Sequence, residues 1–515
     1  MEKQPHRSGA SYASALLALF TLGLGSSVEA LTSHKGHTAS QPADQLAVSE
    51  ALSGRIKSGL PFRNPPILES RNGRLSLRLT ASREVVSISG KNIGARVYAA
   101  SSGDTQIPPN FMPPVLKVAP GDQLQVTLVN RLGEPTNLHT HGFFISPIGN
   151  QDNIFVDLES SKTFTYQYDI PTVAEPGSYW YHPHYHPLVE EQVFGGLSGL
   201  ILMKGLTDRL PPSLQGLEER FLGLKDFQLT KANTIPNNNI DSDAPTTRTI
   251  NGLVQPVMKM RPGETQLWHI GNIGADIFYQ LAAPGLRLTV IAEDANPLAR
   301  PLPAEHLLMP PGRRFDVLVQ APTTAGTFSL ITEALSTGPD GDQYPEALMA
   351  TVKVEGNALP PITIPDYRLP FDDLRQAKVR RYREFVLSEN NTAGTFYINE
   401  REFNENVVEA TPVTQSVEEW VIRNESLEVH PIHVHVNDMQ VLSVNGVPQE
   451  SLSLVDTYPI PYATTDAQGR KIPGEVVVRT RFRHFIGPYV LHCHILAHED
   501  NGMMGVVNVT SPESE

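Results

Sequence analysis

Apolar and polar positions alternate in short runs along most of this chain. Leu75 to Leu79 is a clear case: the apolar residues fall on every second position, as in a strand with one buried face. Similar runs, punctuated by turn residues, continue to the C-terminus. Long stretches with helical periodicity are hard to find. The 43 prolines and 38 glycines are spread throughout, as many short strands joined by tight turns require. The pattern predicts an all-β chain built of sandwiches or barrels. At about 150 residues per domain, 515 residues suggest about three of them.

A weak internal repeat points the same way. Val115-Leu116-Lys117-Val118-Ala119-Pro120-Gly121-Asp122 leads into a strand ending at Asn130. Val257-Met258-Lys259-Met260-Arg261-Pro262-Gly263-Glu264 leads into one ending at Asn272. In both, the asparagine lies ten residues after the proline. This reads as strand, Pro-Gly turn, strand, then an Asn that bonds its own backbone. A looser copy without Pro-Gly runs from Thr414 through Trp420 to Asn424. Stretches near 206–220 and 356–380, rich in Pro and Leu, mark the boundaries. The expected segmentation is 1–30, 31–64, 65–210, 211–370 and 371–515.

The first of these segments reads as a secretion signal. Lys3 and Arg7 precede an apolar stretch from about Ala13 to Leu24, and Val28-Glu29-Ala30 offers a cleavage site. The stretch is shorter than the roughly 20 residues that cross a bilayer, so an exported protein is expected, periplasmic or secreted, without stable membrane insertion. No Arg pair supports a twin-arginine route. Residues 31–64 read as a polar, mobile tail, with His34 and His37 solvated. An apolar fraction of 40% suits a globular protein, and a net charge of −14 without basic runs excludes a nucleic-acid backbone as main partner. Export permits disulfides, yet Cys493 is the sole cysteine, so none forms internally. It is either a small buried side chain or a metal ligand.

Chemistry enters with the 17 histidines, ten of which fall in four short clusters. These are His139-Thr140-His141, His182-Pro183-His184, His430-Pro431-Ile432-His433-Val434-His435, and His492-Cys493-His494 followed by His498 and Met503. The expected middle segment, 211–370, holds only His269 and His306, without such spacing. On a strand, residues two apart share a face, so each His-x-His aims two imidazoles at one place. One such pair is a coincidence or a satisfied polar pair; four call for bound metal, because buried imidazoles are otherwise costly. Cys493 points away from His492 and His494, so a thiolate holds one metal while its neighbours hold others. A His₂Cys site with a weak Met ligand is the blue-copper arrangement. One cysteine does not furnish the several thiolates typical of structural zinc.

These four clusters, in order and in spacing, resemble the multicopper oxidases, among them laccases, bilirubin oxidases and bacterial cuprous oxidases. The resemblance covers nearly the whole chain after the leader. It implies three cupredoxin-like Greek-key β-sandwich domains and four copper ions: one type 1, one type 2 and two type 3. By motif, type 1 copper falls to His430, Cys493 and His498, with Met503 axial. Type 2 falls to His139 and His433. One type 3 copper falls to His141, His182 and His494, the other to His184, His435 and His492. His186 and His484 are not expected to bind copper. Glu499, next to His498, is a candidate proton-relay acid. Asp152, in the loop after the first pair, is the second; for both, the alternative is a carboxylate that caps a turn. The implied reaction couples four one-electron oxidations of a small reducing substrate to reduction of dioxygen to water, by a chain expected to be monomeric. Ten dispersed methionines form no Met-rich insert, which favours phenols or aromatic amines as donors. Alternatives are a metallo-oxidase acting on Cu(I), Fe(II) or Mn(II), and a copper-binding or structural cupredoxin protein without oxidase activity.

Overall fold

The computed structural model describes residues 56–238 and 240–512. The leader 1–30, His34 and His37 lie outside the described residues. Strands dominate, and the two α-helices among the described residues, Val189–Phe194 and Leu496–Asp500, are a turn or two long. No helix there is long and apolar enough to cross a membrane.

The strands form three pairs of large sheets in chain order. In the first pair, Arg74–Ile88, Lys91–Ser102, Thr105–Asn110, Gln123–Arg131 and Thr163–Asp169 make one sheet. Ile67–Glu69, Val115–Val118, Gly199–Met203, Gly177–His182 and His139–His141 make the other. Leu75, Leu77 and Leu79 bury against Leu116, Val118, Tyr179 and Ile201 of the facing sheet, while Ser76 and Arg78 stay outside. The alternation read from the sequence is thus one face of a sandwich, although the strand runs on to Ile88. The second pair spans Glu218–Val354 and the third Val379–Val509, each divided in the same way.

The repeat has a structural counterpart. Asn272 and Asn424 end equivalent strands, Asn130 stands one residue before the end of its own, and all three are fully buried. The Asn130 amide nitrogen donates to the carbonyls of Glu134 and Leu158, and its oxygen accepts the Leu132 N–H. Asn424 does the same with Glu428, Ile460 and Ser426, and Asn272 with Ile277, Met309 and Gly274. Each closes the loop that follows its strand. In the first and third sandwiches that loop leads to a histidine cluster.

Part of the expected tail is ordered. Ser58 and Pro61 bridge to Val254 and Val257 of the middle sandwich, and the Asn64 side chain bonds the main chain of Glu219 and Phe221. Polar composition suggested a solvated tail, but the backbone groups of this segment find partners along a sheet edge.

Candidate metal centre

Strand pairing assembles the histidines. His139–His141 runs antiparallel to Gly177–His182, which sets His139 opposite His182. In the third sandwich His430–Val434 runs antiparallel to Gly487–Cys493, which sets His433 opposite His492. The two groups meet face to face: the rings of His139 and His435 stack at 4.1 Å between centroids, and those of His141 and His433 at 3.7 Å. Eight histidines from the first and third sandwiches therefore share one buried space.

Their donor atoms fit metal. His184 Nε2 and His435 Nε2 each lie 3.3 Å from His492 Nε2. His494 Nε2 lies 3.2 Å from His141 Nδ1. The Nε2 atoms of His139, His182 and His433 are buried without any hydrogen-bond partner. A metal bound to nitrogen at about 2.0–2.1 Å spaces its ligands about 3.3–3.6 Å apart, so these separations suit shared ions. Burial, followed by repulsion from neighbouring imidazoles, pushes the pKa of His139, His182, His435, His492 and His494 well below the usual value. His184 falls to about 3 for the same first reason. Neutral imidazoles with unshared lone pairs are what a cation needs.

Nδ1 contacts fix most of the rings. His139 Nδ1 donates to Asp152 Oδ2 at 2.9 Å, His182 Nδ1 to the Pro183 carbonyl at 2.7 Å, and His433 Nδ1 to the Asp456 carbonyl at 2.9 Å. Asp152 also accepts the Thr140 N–H and hydroxyl, and burial raises its pKa to about 7. Glu499 is fully buried between two rings, 2.8 Å from His492 Nδ1 and 3.3 Å from His184 Nδ1. Burial raises its pKa as well. Both carboxylates thus touch candidate ligands on the side away from the metal space.

The second site lies one residue further along the same strand. Cys493 Sγ is 3.6 Å from His430 Nδ1 and 3.7 Å from His498 Nδ1, and those two nitrogens are 3.2 Å apart. Burial pushes the thiol pKa up, so a bound cation is needed to hold it as thiolate. Met503 is buried, and its main chain bonds both Cys493 N and His498 O. Of the remaining histidines, His186 faces Asp500 and Phe403, and His484 packs against Phe144 and Phe485. His269 pairs with Asp316, and His306 with Glu333.

Three multicopper oxidase family models match in succession, over residues 82–207, 218–356 and 375–513. The chain belongs to the multicopper oxidase family. As a member it is an oxidoreductase with copper as cofactor. It is 26% identical over 414 residues to the multicopper oxidase mco of Staphylococcus aureus, covering 78% of this chain and 83% of the relative. A laccase of Bacillus stratosphericus is 26% identical over 378 residues, 66% of this chain and 73% of that one. Among solved structures, a Campylobacter jejuni multicopper oxidase described as a metallo-oxidase superposes with a TM-score of 0.75 at 24% identity, over 89% of this chain and 96% of the other.

Sequence reasoning missed Asp456 and Arg314. Asp456 Oδ1 lies 3.1 Å from His141 Nε2, and Arg314 pairs with both Asp456 oxygens at 2.7 and 2.6 Å. Burial alone would raise the Asp456 pKa, but Arg314 and then His141 outweigh it and hold the group well below the usual range. One signal was present: Arg314 and Asp316 occupy one face of a mostly apolar strand, Arg314–Gln320, that is buried throughout.

Proposed function

We propose that this oxidase takes single electrons at the Cys493 site, reduces dioxygen to water at the histidine cluster, and accepts them from a small low-valent metal cation such as Cu(I), Fe(II) or Mn(II). The donor sets would hold four coppers: His430, Cys493 and His498, with the buried Met503 beside them, for type 1; His139 and His433 for type 2; His141, His182 and His494 for one type 3 ion, and His184, His435 and His492 for the other. When bound, these ions supply the one-electron steps and the site of dioxygen reduction. Cys493 is joined by main-chain bonds to His492 and His494, so the two sites share a covalent path one residue long. Glu499 lies against the Nδ1 atoms of His184 and His492, and Asp152 orients His139. Each is a buried carboxyl beside the cluster, suited to handing on the protons that dioxygen reduction consumes.

The donor class rests on the surroundings of His430 and His498, which are 0% and 3% exposed. Their outer Nε2 atoms lie 3.5 Å from Glu389 Oε2 and 3.7 Å from Glu428 Oε2. Phe396 stacks on His498 at 3.9 Å. A loop of the middle sandwich covers the site: the Thr337 carbonyl accepts the Val429 N–H, and the Asp340 N–H donates to the Leu427 carbonyl. Burial, then the charges of Asp342 and Glu389, raise the Glu428 pKa well above normal, so a cation that docks there takes the place of a proton. An aromatic ring finds no open imidazole edge. The sequence favoured phenols from the lack of a Met-rich insert; carboxylates offer a cation another means of docking.

Dioxygen uptake by the copper-loaded protein decides between the donors. Faster uptake with Cu(I) or Fe(II) than with a methoxyphenol is expected, each corrected for autoxidation. Replacing Glu389 and Glu428 by Gln should raise KM for the metal ion by about tenfold, or ~1.4 kcal/mol, and leave the phenol rate alone. Fast phenol oxidation with an unchanged metal KM would return the donor to the organic class.

A further inference from the structure

The middle sandwich contributes no candidate ligand, yet it reaches the histidine cluster at one turn, and that contact has a specific geometry. In imidazole the nitrogen that is hydrogen-bonded determines which one remains for metal. His139, His182, His433 and His492 each have Nδ1 against a carbonyl or carboxylate, which leaves Nε2. His141 is reversed. Its Nε2 faces Asp456 Oδ1 at 3.1 Å, and its Nδ1 faces His494 Nε2.

Asp456 does two jobs. Its carboxylate orients His141 from the first sandwich, and its main-chain carbonyl orients His433 from the third. A fully buried carboxylate holds that place only with its charge matched. Arg314, 0% exposed, supplies the match through two parallel hydrogen bonds at 2.7 and 2.6 Å. The guanidinium is itself fixed from two further sides. Its Nε donates to the carbonyl of Ser178, on the strand that carries His182, and Nη1 donates to the Gly312 carbonyl. Gly312, with φ at +86°, lays bare backbone against two ligand rings: a Cβ there would sit 2.9 Å from His494 Cδ2 and 3.1 Å from His141 Cε1.

We propose that Arg314, acting through Asp456, is a positioning residue that turns His141 so that Nδ1 faces the copper cluster. The role rests on the oxidase reading above. It makes the middle sandwich a template for the cluster that the outer two form.

The test is copper binding under chelator competition, with total copper per chain and the blue type 1 absorption read separately. Folding is monitored by circular dichroism. In Arg314→Met the blue band should persist, while affinity for the other coppers falls about 10–100-fold, the usual cost of losing a ligand's outer hydrogen-bond partner. Arg314→Lys returns the charge without the two-pronged geometry and should recover part of that loss. A folded Arg314→Met protein that holds all its copper at wild-type affinity overturns the proposal, as does equal loss of type 1 copper. If Arg314→Met does not fold, Asp456→Asn, which keeps the side chain's size, should show the same selective loss, and wild-type affinity there overturns the role. A wild-type chain that takes up only type 1 copper sinks the oxidase reading and this role together, and no variant is needed to see it.

Discussion

Burial governs the titratable residues of this molecule, and it acts in opposite directions on bases and acids. Around the cluster it keeps imidazoles neutral; elsewhere it keeps carboxyls protonated. Asp226 shows the second effect away from any candidate ligand. Its Oδ2 accepts the Thr246 hydroxyl at 2.7 Å, its Oδ1 is buried without a hydrogen-bond partner, and burial raises its pKa to about 6. The folded state therefore binds the proton more tightly than the unfolded chain, whose value lies near 3.9. Below about pH 4 both states are protonated and burial carries no charge penalty. Stability then falls as pH rises, until the folded group ionises near 6. Two pKa units correspond to about 3 kcal/mol, an upper figure for a neutral replacement. Asp226→Asn should raise the melting temperature at pH 7.5 and barely change it at pH 4. An equal effect at both values would mean that packing, not charge, sets the difference.

Among the structural elements, the loop from Thr337 to Asp342 has the plainest consequence for function. It belongs to the middle sandwich but lies on residues 427–429 of the third, next to His430. Gly338 permits this, with φ at +141° and room for no side chain: a Cβ would stand 2.1 Å from the Leu427 carbonyl oxygen. Gly338→Ala should lift the cover and raise kcat/KM for a methoxyphenol relative to Cu(I) by about tenfold, or ~1.4 kcal/mol. An unchanged ratio would show that the loop does not limit access. The cover was not legible in the sequence, because nothing in residues 337–342 says which distant surface the loop meets. The strands were more legible. Leu75–Leu79 and the two Pro-Gly repeats announced themselves by period and turn residues, which are local properties. Asn130, Asn272 and Asn424 showed in advance, to within a residue, where three equivalent strands stop.

At the scale of the molecule, the histidine clusters lie only in the first and last thirds of the chain, and they meet across a shared space. That meeting was legible through the family resemblance, which implied ligand sets drawn from both ends of the chain. The Arg314–Asp456 pair was not: its members are 142 residues apart and carry no motif. With copper bound as proposed, the arrangement should make stability depend on it. Metal held by both outer sandwiches binds the assembled molecule and not the unfolded chain. It stabilises that molecule by RT ln(1 + [L]/Kd), about 2.7 kcal/mol at a hundredfold excess over Kd. For units of roughly 150 residues this is worth on the order of 5–10 °C in melting temperature. Without copper the facing lone pairs, such as His184 Nε2 and His435 Nε2 around His492 Nε2, have nothing to hold them together. The first and third sandwiches then cohere through ordinary packing, the Arg314 contact and hydrogen bonds such as that from the Glu190 N–H to Asp500 Oδ2. Calorimetry on chelator-stripped protein should show a lower and broader transition than on the copper-loaded form, with a single sharp peak restored on adding copper back. His430→Ala, which removes a proposed type 1 ligand within the third sandwich, should keep most of the copper-dependent rise. His139→Ala, which removes a proposed ligand of the shared cluster, should lose more of it. If both variants lose the same amount, copper stabilises the third sandwich alone and does not clamp it to the first.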